Sequence, residues 1–477
     1  MKFYIPILLF FYFFASNNKN IQAAHAVGMD ISYDCVGLNQ YEVSLQFYYD
    51  CSDDENPPNN PLLSIKSDVC GIILPDQFLF QTGPSESNIE VSPLCAAELT
   101  NTTCSGGSMM GIKKYTYRNI ITLPEACPDW QISFSECCRN ISSTNVISND
   151  ACELYITAHI NNTNGLCNSS PSFANQPVPY FCNTSAVFNQ GTIEPDGDEL
   201  VFTPIAPYCS EGITATYATG YSAAAPLLAS TYSFDTNSGQ INFTADGQQL
   251  SLLTVLVEEY RDGLLIGSVM RDMQFVVLDC TNNQTAIGFP SNPTAYLETC
   301  PENTLTFDFE INDPDAGAIV TLNSNVFTTF PGAMITVDLS TSNPLMANFS
   351  WTPTASDAGL HNLVLNATDE ACPVPATYTE IFTIRVFEAV PDANNDLVYC
   401  PEGEAAILQA SGGDFFTWEP NADVTALTAN GSQVSVTPSI TTIYTVTNNC
   451  GGTDNVEVSV ATGFTATLPE SQSICLG

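Results

Sequence analysis

The C-terminal half of this chain contains a unit that recurs at domain spacing. Each copy opens with Cys-Pro-Glu, at Cys300 and again at Cys400, and ends in an alternating strand pattern beside a second cysteine, Cys372 or Cys450. We expect a third copy to begin at Cys475. Repetition of this kind is typical of a linear array of modules. Because no catalytic signature lies inside the units, the repeat favours a surface or adhesion protein over an enzyme.

The first residues have the form of a secretory signal peptide. Lys2 precedes an apolar run from Phe3 to Phe14, which is too short to span a membrane comfortably. Small residues follow, and Ala24-His25-Ala26 matches an Ala-x-Ala cleavage site. We predict a signal peptide over residues 1–26 and no direct membrane insertion of the mature chain. The alternative is an N-terminal membrane anchor.

The cysteine content agrees with export. The chain has 18 cysteines, and exported chains form disulfides whereas cytosolic thiols stay reduced. The economical pairing joins Cys300 to Cys372 and Cys400 to Cys450, so that each bond ties the first strand of a unit to its last hairpin. Closing loops of this length stabilises a domain by roughly 3–4 kcal/mol in the chain-entropy description. We therefore expect a secreted chain, displayed at the outer cell surface and stiffened by disulfides.

The charge of the chain is strongly negative. It has 51 acidic and 10 basic residues, for a formal net charge of −41. Phosphate groups are bound by clustered Lys and Arg, and nucleic acids and anionic membrane surfaces are therefore excluded as partners. Two interpretations of the acid excess remain open. One is divalent-cation binding between domains, and the other is solubility, since high net charge keeps proteins apart.

Alternation of apolar and polar residues dominates the sequence. It is clear from Tyr41 to Phe47 and from Asn455 to Val460, as half-buried strands require. Clusters of Gly, Pro and Asn separate such runs, and no long amphipathic helix follows the signal peptide. The pattern predicts an all-β chain of tandem β-sandwich domains after a Cys-rich N-terminal β domain.

Linker-like stretches divide the mature chain into domains. The predicted boundaries are 27–171 for the Cys-rich N-terminal β domain, 172–281 for a first β-sandwich, 290–390 for a second, 391–463 for a third, and 464–477 for the start of a truncated further repeat.

Two tryptophans stand in similar short motifs of the second and third sandwiches. Trp351 lies much farther from Cys300 than Trp418 lies from Cys400, which places the two on different strands. We interpret each as a core aromatic residue. The alternative is an exposed platform on which a sugar ring stacks.

Acidic turns are the sharpest chemical signals in the sequence. Clustered carboxylates on a tight turn offer several oxygens to Ca²⁺, a hard ion that takes six to eight of them. The alternative is that Asp, Asn and Gly are simply good turn residues. The predicted calcium ligands are Glu194, Asp196, Asp198, Asp313, Asp315 and Asp369.

Catalytic constellations are weak. The chain has three histidines, of which His159 and His361 lie in strand-like runs. It contains no Gly-x-Ser-x-Gly elbow, phosphate-binding glycine loop or His-Glu-x-x-His motif. We predict no catalytic residues and no enzymatic activity, although a carboxylate pair for glycoside cleavage stays open in so acidic a chain.

Six short motifs of the chain carry a family resemblance: Tyr48-Tyr49-Asp50-Cys51, Cys127-Pro128-Asp129-Trp130, Cys137-Cys138-Arg139-Asn140, Asp313-Pro314-Asp315, Trp351-Thr352-Pro353 and Trp418-Glu419-Pro420. They resemble motifs of large secreted proteins of the Bacteroidota, which are described as gliding-motility-associated or type IX secretion substrates. The N-terminal region is similar to their leading domain, residues 172–281 and 300–388 resemble cadherin-like repeats, and residues 400–461 resemble PKD-like, Ig-type modules.

The resemblance implies secretion across an outer membrane and a non-catalytic adhesive or scaffolding role at the cell surface. The expected partners are extracellular surfaces, proteins or polysaccharides. The alternative function is an array of glycan-binding modules accessory to a polysaccharide hydrolase. Family members end in a C-terminal sorting domain that this sequence lacks, and we therefore expect it to be a fragment.

Overall fold

The computed structural model describes residues 26–52, 57–136, 139, 143–147, 152–290, 294–340, 343–401 and 403–461. The predicted signal peptide, apart from Ala26, and the predicted repeat start at 464–477 lie outside these residues, as do Cys137, Cys138 and Cys475. About 53% of the described residues are in strands and 4% are in helices. No helix among the described residues is long and apolar enough to cross a membrane.

The strands group into three units, which we call the first (26–280, including the two residues after its last strand), second (286–386) and third (392–460). The first unit contains β1 (Ala26–Gly37), β2 (Gln40–Asp50), β3 (Leu62–Ser67), β4 (Ile72–Ile73), β5 (Gln77–Phe78), β6 (Phe80–Gln81), β7 (Ile89–Glu90), β8 (Ile112–Thr122), β9 (Trp130–Glu136), β10 (Leu154–Ile160), β11 (Ser172–Phe173), β12 (Tyr180–Cys182), β13 (Ser185–Phe188), β14 (Thr192–Ile193), β15 (Glu199–Ile205), β16 (Tyr208–Ser210), β17 (Ile213–Thr214), β18 (Ala229–Phe234), β19 (Ile241–Ala245), β20 (Gln249–Arg261) and β21 (Leu264–Leu278).

The second and third units contain eight strands each. Those of the second unit are β22 (Ala286–Gly288), β23 (Tyr296–Thr299), β24 (Leu305–Asn312), β25 (Val320–Ser324), β26 (Met334–Asp338), β27 (Leu345–Trp351), β28 (Gly359–Asp369) and β29 (Thr377–Val386), with one short helix, α1 (Val326–Thr329). Those of the third unit are β30 (Asp392–Ala393), β31 (Leu397–Tyr399), β32 (Ala406–Ser411), β33 (Phe416–Glu419), β34 (Val424–Ala426), β35 (Gln433–Val436), β36 (Thr442–Asn448) and β37 (Thr453–Val460). Four 3-10 turns complete the elements: Leu99–Asn101, Thr103–Ser105, Thr163–Gly165 and Ala355–Asp357.

Strand β21 organises the first unit. It pairs antiparallel with β1, β10 and β20 and parallel with β12, within a 14-stranded sheet. The hairpin that delivers it turns at Asp262-Gly263, where both residues have positive φ. A two-residue turn of this kind matches the twist of the flanking strands, which is why Asp-Gly is favoured there.

The sheet of the first unit crosses the predicted domain boundary at residue 171. Strands β1 and β10 precede that boundary and β20 and β21 follow it, yet all four belong to one sheet. A single hydrophobic core also includes Ala26 at one end and Val277 at the other. The structure therefore joins, in one sheet and one core, the two units that the sequence predicted as 27–171 and 172–281. The division at 171 is wrong because β21 pairs with strands from both sides of it.

Burial on both faces explains why β21 does not alternate. All but three of its positions are buried, as expected for a strand covered on both sides. Two of the buried side chains are charged, and each has an opposite charge: Arg271 lies 2.8 Å from Asp30, and Asp272 lies 2.6 Å from Arg139. Buried ions need such partners because desolvation of an unpaired charge is costly.

The second and third units share one topology. In each, the first, third, sixth and fifth strands form one four-stranded sheet, and the second, eighth, seventh and fourth form the other. In each, the second strand runs parallel to the eighth, as β23 does to β29 and β31 to β37. The prediction of an all-β chain with tandem β-sandwiches is confirmed, because each of these two units consists of two four-stranded sheets.

The two tryptophans belong to different strands, as predicted. Trp351 ends β27, the sixth strand of its unit, whereas Trp418 lies in β33, the fourth. Both are buried, and the indole N–H groups donate to the carbonyls of Pro331 and Gly431. Each is therefore a core residue, and neither provides an exposed platform.

We predict that Phe275→Ala lowers the stability of the first unit by about 3–5 kcal/mol, because truncating a packed core aromatic leaves a cavity. The Phe275 ring packs on Phe181 and Phe188, with centroid distances of 5.3 and 5.1 Å. Thermal unfolding followed by calorimetry measures the effect. Phe80→Ala, at a position that is 55% exposed, is the matched control and should change little. Equal effects of the two substitutions would contradict this assignment of the core.

Candidate functional site

The cysteines of the repeat lie at opposite ends of each sandwich. Cys300 follows β23, and Cys372 lies in the turn between β28 and β29. Because β23 is parallel to β29, its end meets the far end of β29 and not the turn before it. Strand β29 has 10 residues, which span roughly 30 Å at ~3.3 Å each. A disulfide needs Cα atoms within about 7 Å, and a bond inside the unit is therefore out of reach.

Three of the repeat cysteines instead bond between units. Cys300 of the second unit pairs with Cys450 of the third, at a Cα–Cα distance of 5.6 Å. Cys372 of the second unit pairs with Cys95 of the first, at 5.3 Å. The predicted pairs Cys300–Cys372 and Cys400–Cys450 are therefore wrong. In each case the cysteine in the hairpin of one unit reaches back to the unit before it.

The other disulfides of the described chain lie within the first unit. Disulfides are characteristic of oxidising compartments, and the seven described bonds indicate an extracellular protein. The five within the first unit are Cys35–Cys167, Cys51–Cys104, Cys70–Cys127, Cys152–Cys209 and Cys182–Cys280.

The contact between the first and second units, which we call the first junction, also has noncovalent support. The Cys95 N–H donates to the carbonyl of Pro373 at 3.0 Å. Val374, which is 2% exposed, packs in one cluster with Val178 and Tyr180 of the first unit. A disulfide flanked by a buried apolar side chain resists hinge motion, because opening would expose that side chain to water.

The linker between these units is held by carboxylates. The Asn282 amide donates to Asp369 at 2.8 Å, and the Asn283 backbone N–H and side-chain amide both donate to Asp315, at 2.9 and 2.6 Å. The Thr285 hydroxyl donates to Asp313 at 2.9 Å. The predicted ligands Asp313, Asp315 and Asp369, which we call the linker cluster, thus bind three residues of the linker.

The remaining predicted ligands lie in a separate cluster around Arg261. Its guanidinium donates to both oxygens of Asp198 at 2.7 Å and lies 3.7 Å from Asp196. Glu194, Asp198 and Glu259 each place a carboxylate oxygen within 4.8 Å of the others. The sequence prediction missed Glu259, which lies on β20 and reaches this group only through the fold. We call these five residues the Arg261 cluster.

Burial changes the acidity of this cluster. It raises the pKa of Glu194 above the usual range, and the charge of Glu259 raises it further. Burial is also the main cause of the raised pKa of Glu259. The Asn168 amide, 3.1 Å away, donates to this carboxylate and thereby acts to lower its pKa. Both carboxyls therefore keep a proton to a higher pH than a solvent-exposed glutamate does.

The two clusters differ in how well they fit Ca²⁺. In the linker cluster, each oxygen of all three carboxylates accepts a hydrogen bond from a protein N–H or O–H group. In the Arg261 cluster, a guanidinium already neutralises Asp198. A calcium ion needs six to eight oxygens turned towards it. The residues present therefore fit hydrogen-bond donors better than the ion, and the calcium prediction stays a prediction.

The second junction joins the second and third units. Besides Cys300–Cys450, the Arg385 guanidinium lies 2.8 Å from the Asp414 carboxylate. The Asn448 amide donates to the carbonyl of Glu388 at 3.0 Å. Gly452 has to be glycine, because a Cβ there would lie 1.9 Å from the Ala389 carbonyl oxygen. The two backbones are thus in direct contact beside the disulfide.

The two described histidines lie in strands, as predicted. The Nε2 atom of His361 lies 2.7 Å from the Asp357 carbonyl, and its ring packs on Trp351 at a centroid distance of 5.1 Å. His159 lies on β10, and burial lowers its pKa. The contacts of His361 are those of a packing residue.

Comparison with known proteins gives only distant structural likeness. No protein-family model and no curated protein matches the chain. Among solved structures, protocadherin gammaB7 EC3-6 is 15% identical, with 61% of this chain and 74% of that chain covered and a TM-score of 0.24. Drosophila N-cadherin EC1-4 is 12% identical, with 86% and 94% covered and a TM-score of 0.21. Mouse nectin-like molecule 4, as its full ectodomain, is 10% identical, with 61% and 100% covered and a TM-score of 0.24. Scores this low carry no argument about function.

We predict that disulfide mapping recovers the bonds between units. Proteolysis without reductant, followed by mass spectrometry, should find the Cys300 peptide linked to the Cys450 peptide and the Cys95 peptide linked to the Cys372 peptide, because the Cα atoms of these pairs lie within bonding distance, at 5.6 and 5.3 Å. The internal control is Cys182–Cys280 within the first unit. A peptide linking Cys300 to Cys372 would contradict the parallel pairing of β23 with β29.

Proposed function

We propose that this chain is an extracellular adhesin or scaffold protein whose units are held in fixed orientation by disulfides between them. The observation that carries the proposal is the pair of bonds Cys95–Cys372 and Cys300–Cys450, one at each junction. Contacts between domains of one chain are usually small and permit relative motion. A covalent bond at each junction supports the opposite behaviour, in which each unit keeps its orientation relative to the next and transmits force to it.

The shared topology supports an array that extends by repetition. The strand-end cysteine and the hairpin cysteine recur in corresponding places of the second and third units. Each unit can therefore bond to the one before it through the hairpin and to the one after it through the strand end. Repeat proteins gain length this way, since each unit contacts only its neighbours.

The proposed setting is the outer cell surface. The support is the resemblance of the sequence to secreted Bacteroidota proteins, which implies type IX secretion and an association with gliding motility. The proposed partners are extracellular surfaces, proteins or polysaccharides, and the proposed role involves no catalysis. Antibody labelling of unpermeabilised cells tests surface display, and an absence of signal on intact cells that returns after permeabilisation would refute it.

We predict that loss of the Cys300–Cys450 disulfide loosens the second junction. Spin labels on noncanonical amino acids at the exposed positions Phe327 and Ile440 report the distance between the second and third units. Pulsed electron paramagnetic resonance should give a narrow distance distribution for the native protein and a broad one for Cys300→Ser/Cys450→Ser, because the noncovalent contacts that remain are few.

The control for this measurement is Cys51→Ser/Cys104→Ser, which removes a bond inside the first unit and should leave the distribution narrow. A native distribution as broad as that of Cys300→Ser/Cys450→Ser would show that the units are not held in place, and the scaffold proposal would then fail.

Calcium is not needed for the proposed stiffness, because protein donors already occupy the linker cluster. We predict equal melting temperatures of the second and third units in excess calcium and in chelator. A ligand that binds only the folded state raises the stability of that state. A higher melting temperature with calcium would therefore support the calcium prediction. The variant Asp369→Asn distinguishes the two possibilities. It should lower the melting temperature in both buffers if the Asp369 carboxylate binds Asn282, and mainly in the calcium buffer if that carboxylate binds the ion.

A further inference from the structure

A cavity of about 150 Å³ lies at the first junction, beside the linker. A cavity of this volume holds one six-membered ring. Its walls come from both units and from the linker between them. The residues that line it lie at position 93, between 175 and 189, at 282 and 284, and between 374 and 379.

The lining is polar but carries no charge. The described residues around the cavity include no Asp, Glu, Lys, Arg or His, although the chain as a whole has a net charge of −41. Its polar side chains are amides and hydroxyls instead: Asn175, Gln176, Asn189, Asn282, Gln284, Thr184, Ser185, Thr377 and Thr379. A lining of this kind offers little to a metal ion or to an ionised ligand, since either would lack a counter-charge.

Some of these side-chain amides form hydrogen bonds at the junction, and others do not. Asn175 exchanges hydrogen bonds with Thr379, and Asn282 donates to Asp369. In the described part of the chain, no protein group hydrogen-bonds the side-chain amide of Gln176. The same holds for Nδ2 of Asn189 and for Oε1 of Gln284. These three residues therefore keep donors and acceptors that a ligand can use.

Aromatic side chains form one part of the apolar wall. Phe181 and Phe188 line the cavity and pack on each other at a centroid distance of 6.3 Å. Tyr180 also lines it, and its hydroxyl donates to the Met110 carbonyl at 2.7 Å, which fixes the ring. Ligand pockets typically combine such apolar surface with a few placed polar groups, and they occur preferentially between domains.

The cavity is formed in advance of any ligand. The Cys95–Cys372 bond joins the two units that wall it, and Val374 lies both in the wall and in the buried cluster of the junction. A site held in its final shape loses less conformational entropy on binding.

We propose that this cavity binds one ring of a neutral saccharide. Sugar hydroxyls both donate and accept hydrogen bonds, as the free amides do, and the C–H surface of the ring matches the aromatic wall. An apolar ligand would leave the amides unpaired, which is costly. The inference goes beyond the scaffold role and does not rest on it, because the junction can be rigid whether or not the cavity is used.

The test uses the full disulfide-bonded chain and neutral oligosaccharides of glucose, galactose, mannose, xylose and N-acetylglucosamine. Saturation-transfer NMR detects binding, and titration gives the dissociation constant. The variant Gln176→Glu/Asn189→Asp keeps the size of both side chains but removes their N–H donors and adds negative charge. It should weaken binding at least tenfold. Gln433→Glu, at an exposed position in the third unit, is the matched control and should bind as the native chain does.

The outcomes separate cleanly. Binding of at least one neutral oligosaccharide, lost in Gln176→Glu/Asn189→Asp and kept in Gln433→Glu, supports the proposal. Failure of all five sugars to bind, or equal binding by the variant, overturns it. Equal binding of an acidic oligosaccharide such as oligogalacturonate overturns the assignment to neutral sugars. The distance distribution at the second junction does not depend on this cavity, so failure here leaves the scaffold proposal intact.

Discussion

The covalent link between neighbouring units is the interaction on which the arrangement of this chain depends. It follows from one feature of the sandwich: the second strand runs parallel to the eighth. That pairing sends the strand-end cysteine and the hairpin cysteine to opposite ends of each unit, so neither can bond within it. Cys300 meets Cys450, and Cys372 meets Cys95. The linker contacts, the buried Val374 and the cavity lie beside the Cys95–Cys372 bond at the first junction.

At the first junction, hydrogen-bond donors stabilise the carboxylates, and cationic side chains do so less. With 10 basic residues against 51 acidic ones, most carboxylates have no arginine or lysine to pair with. In the linker cluster, amide, hydroxyl and backbone N–H groups donate hydrogen bonds to the carboxylates instead. Asn283, for example, donates twice to Asp315. Two of the arginines pair with carboxylates at buried positions, where Arg271 meets Asp30 and Arg139 meets Asp272. An unpaired charge would be least tolerable there.

Sequence reasoning reached part of the candidate site. It selected Asp313, Asp315 and Asp369 as one functional group, and the structure brings all three to the same linker. It missed Glu259 and Arg261, since nothing in a strand sequence shows which distant turn the strand will face. It also predicted these carboxylates as calcium ligands, and that stays a prediction, because acidic turns that bind calcium and acidic turns that bind asparagine amides share the same residue types.

The amino-acid sequence by itself determined the all-β character, the recurrence of the unit, the burial of Trp351 and Trp418 in different strands, and the export implied by many cysteines. These follow from local rules: a period of two along a strand, turn residues between strands, and spacing within a repeat. Only the tertiary structure decided which cysteines bond, that residues 26–278 share one sheet and core, and where a cavity forms. Those outcomes depend on the direction in which strands far apart in sequence pair, as β12 does with β21, and no local pattern encodes that direction.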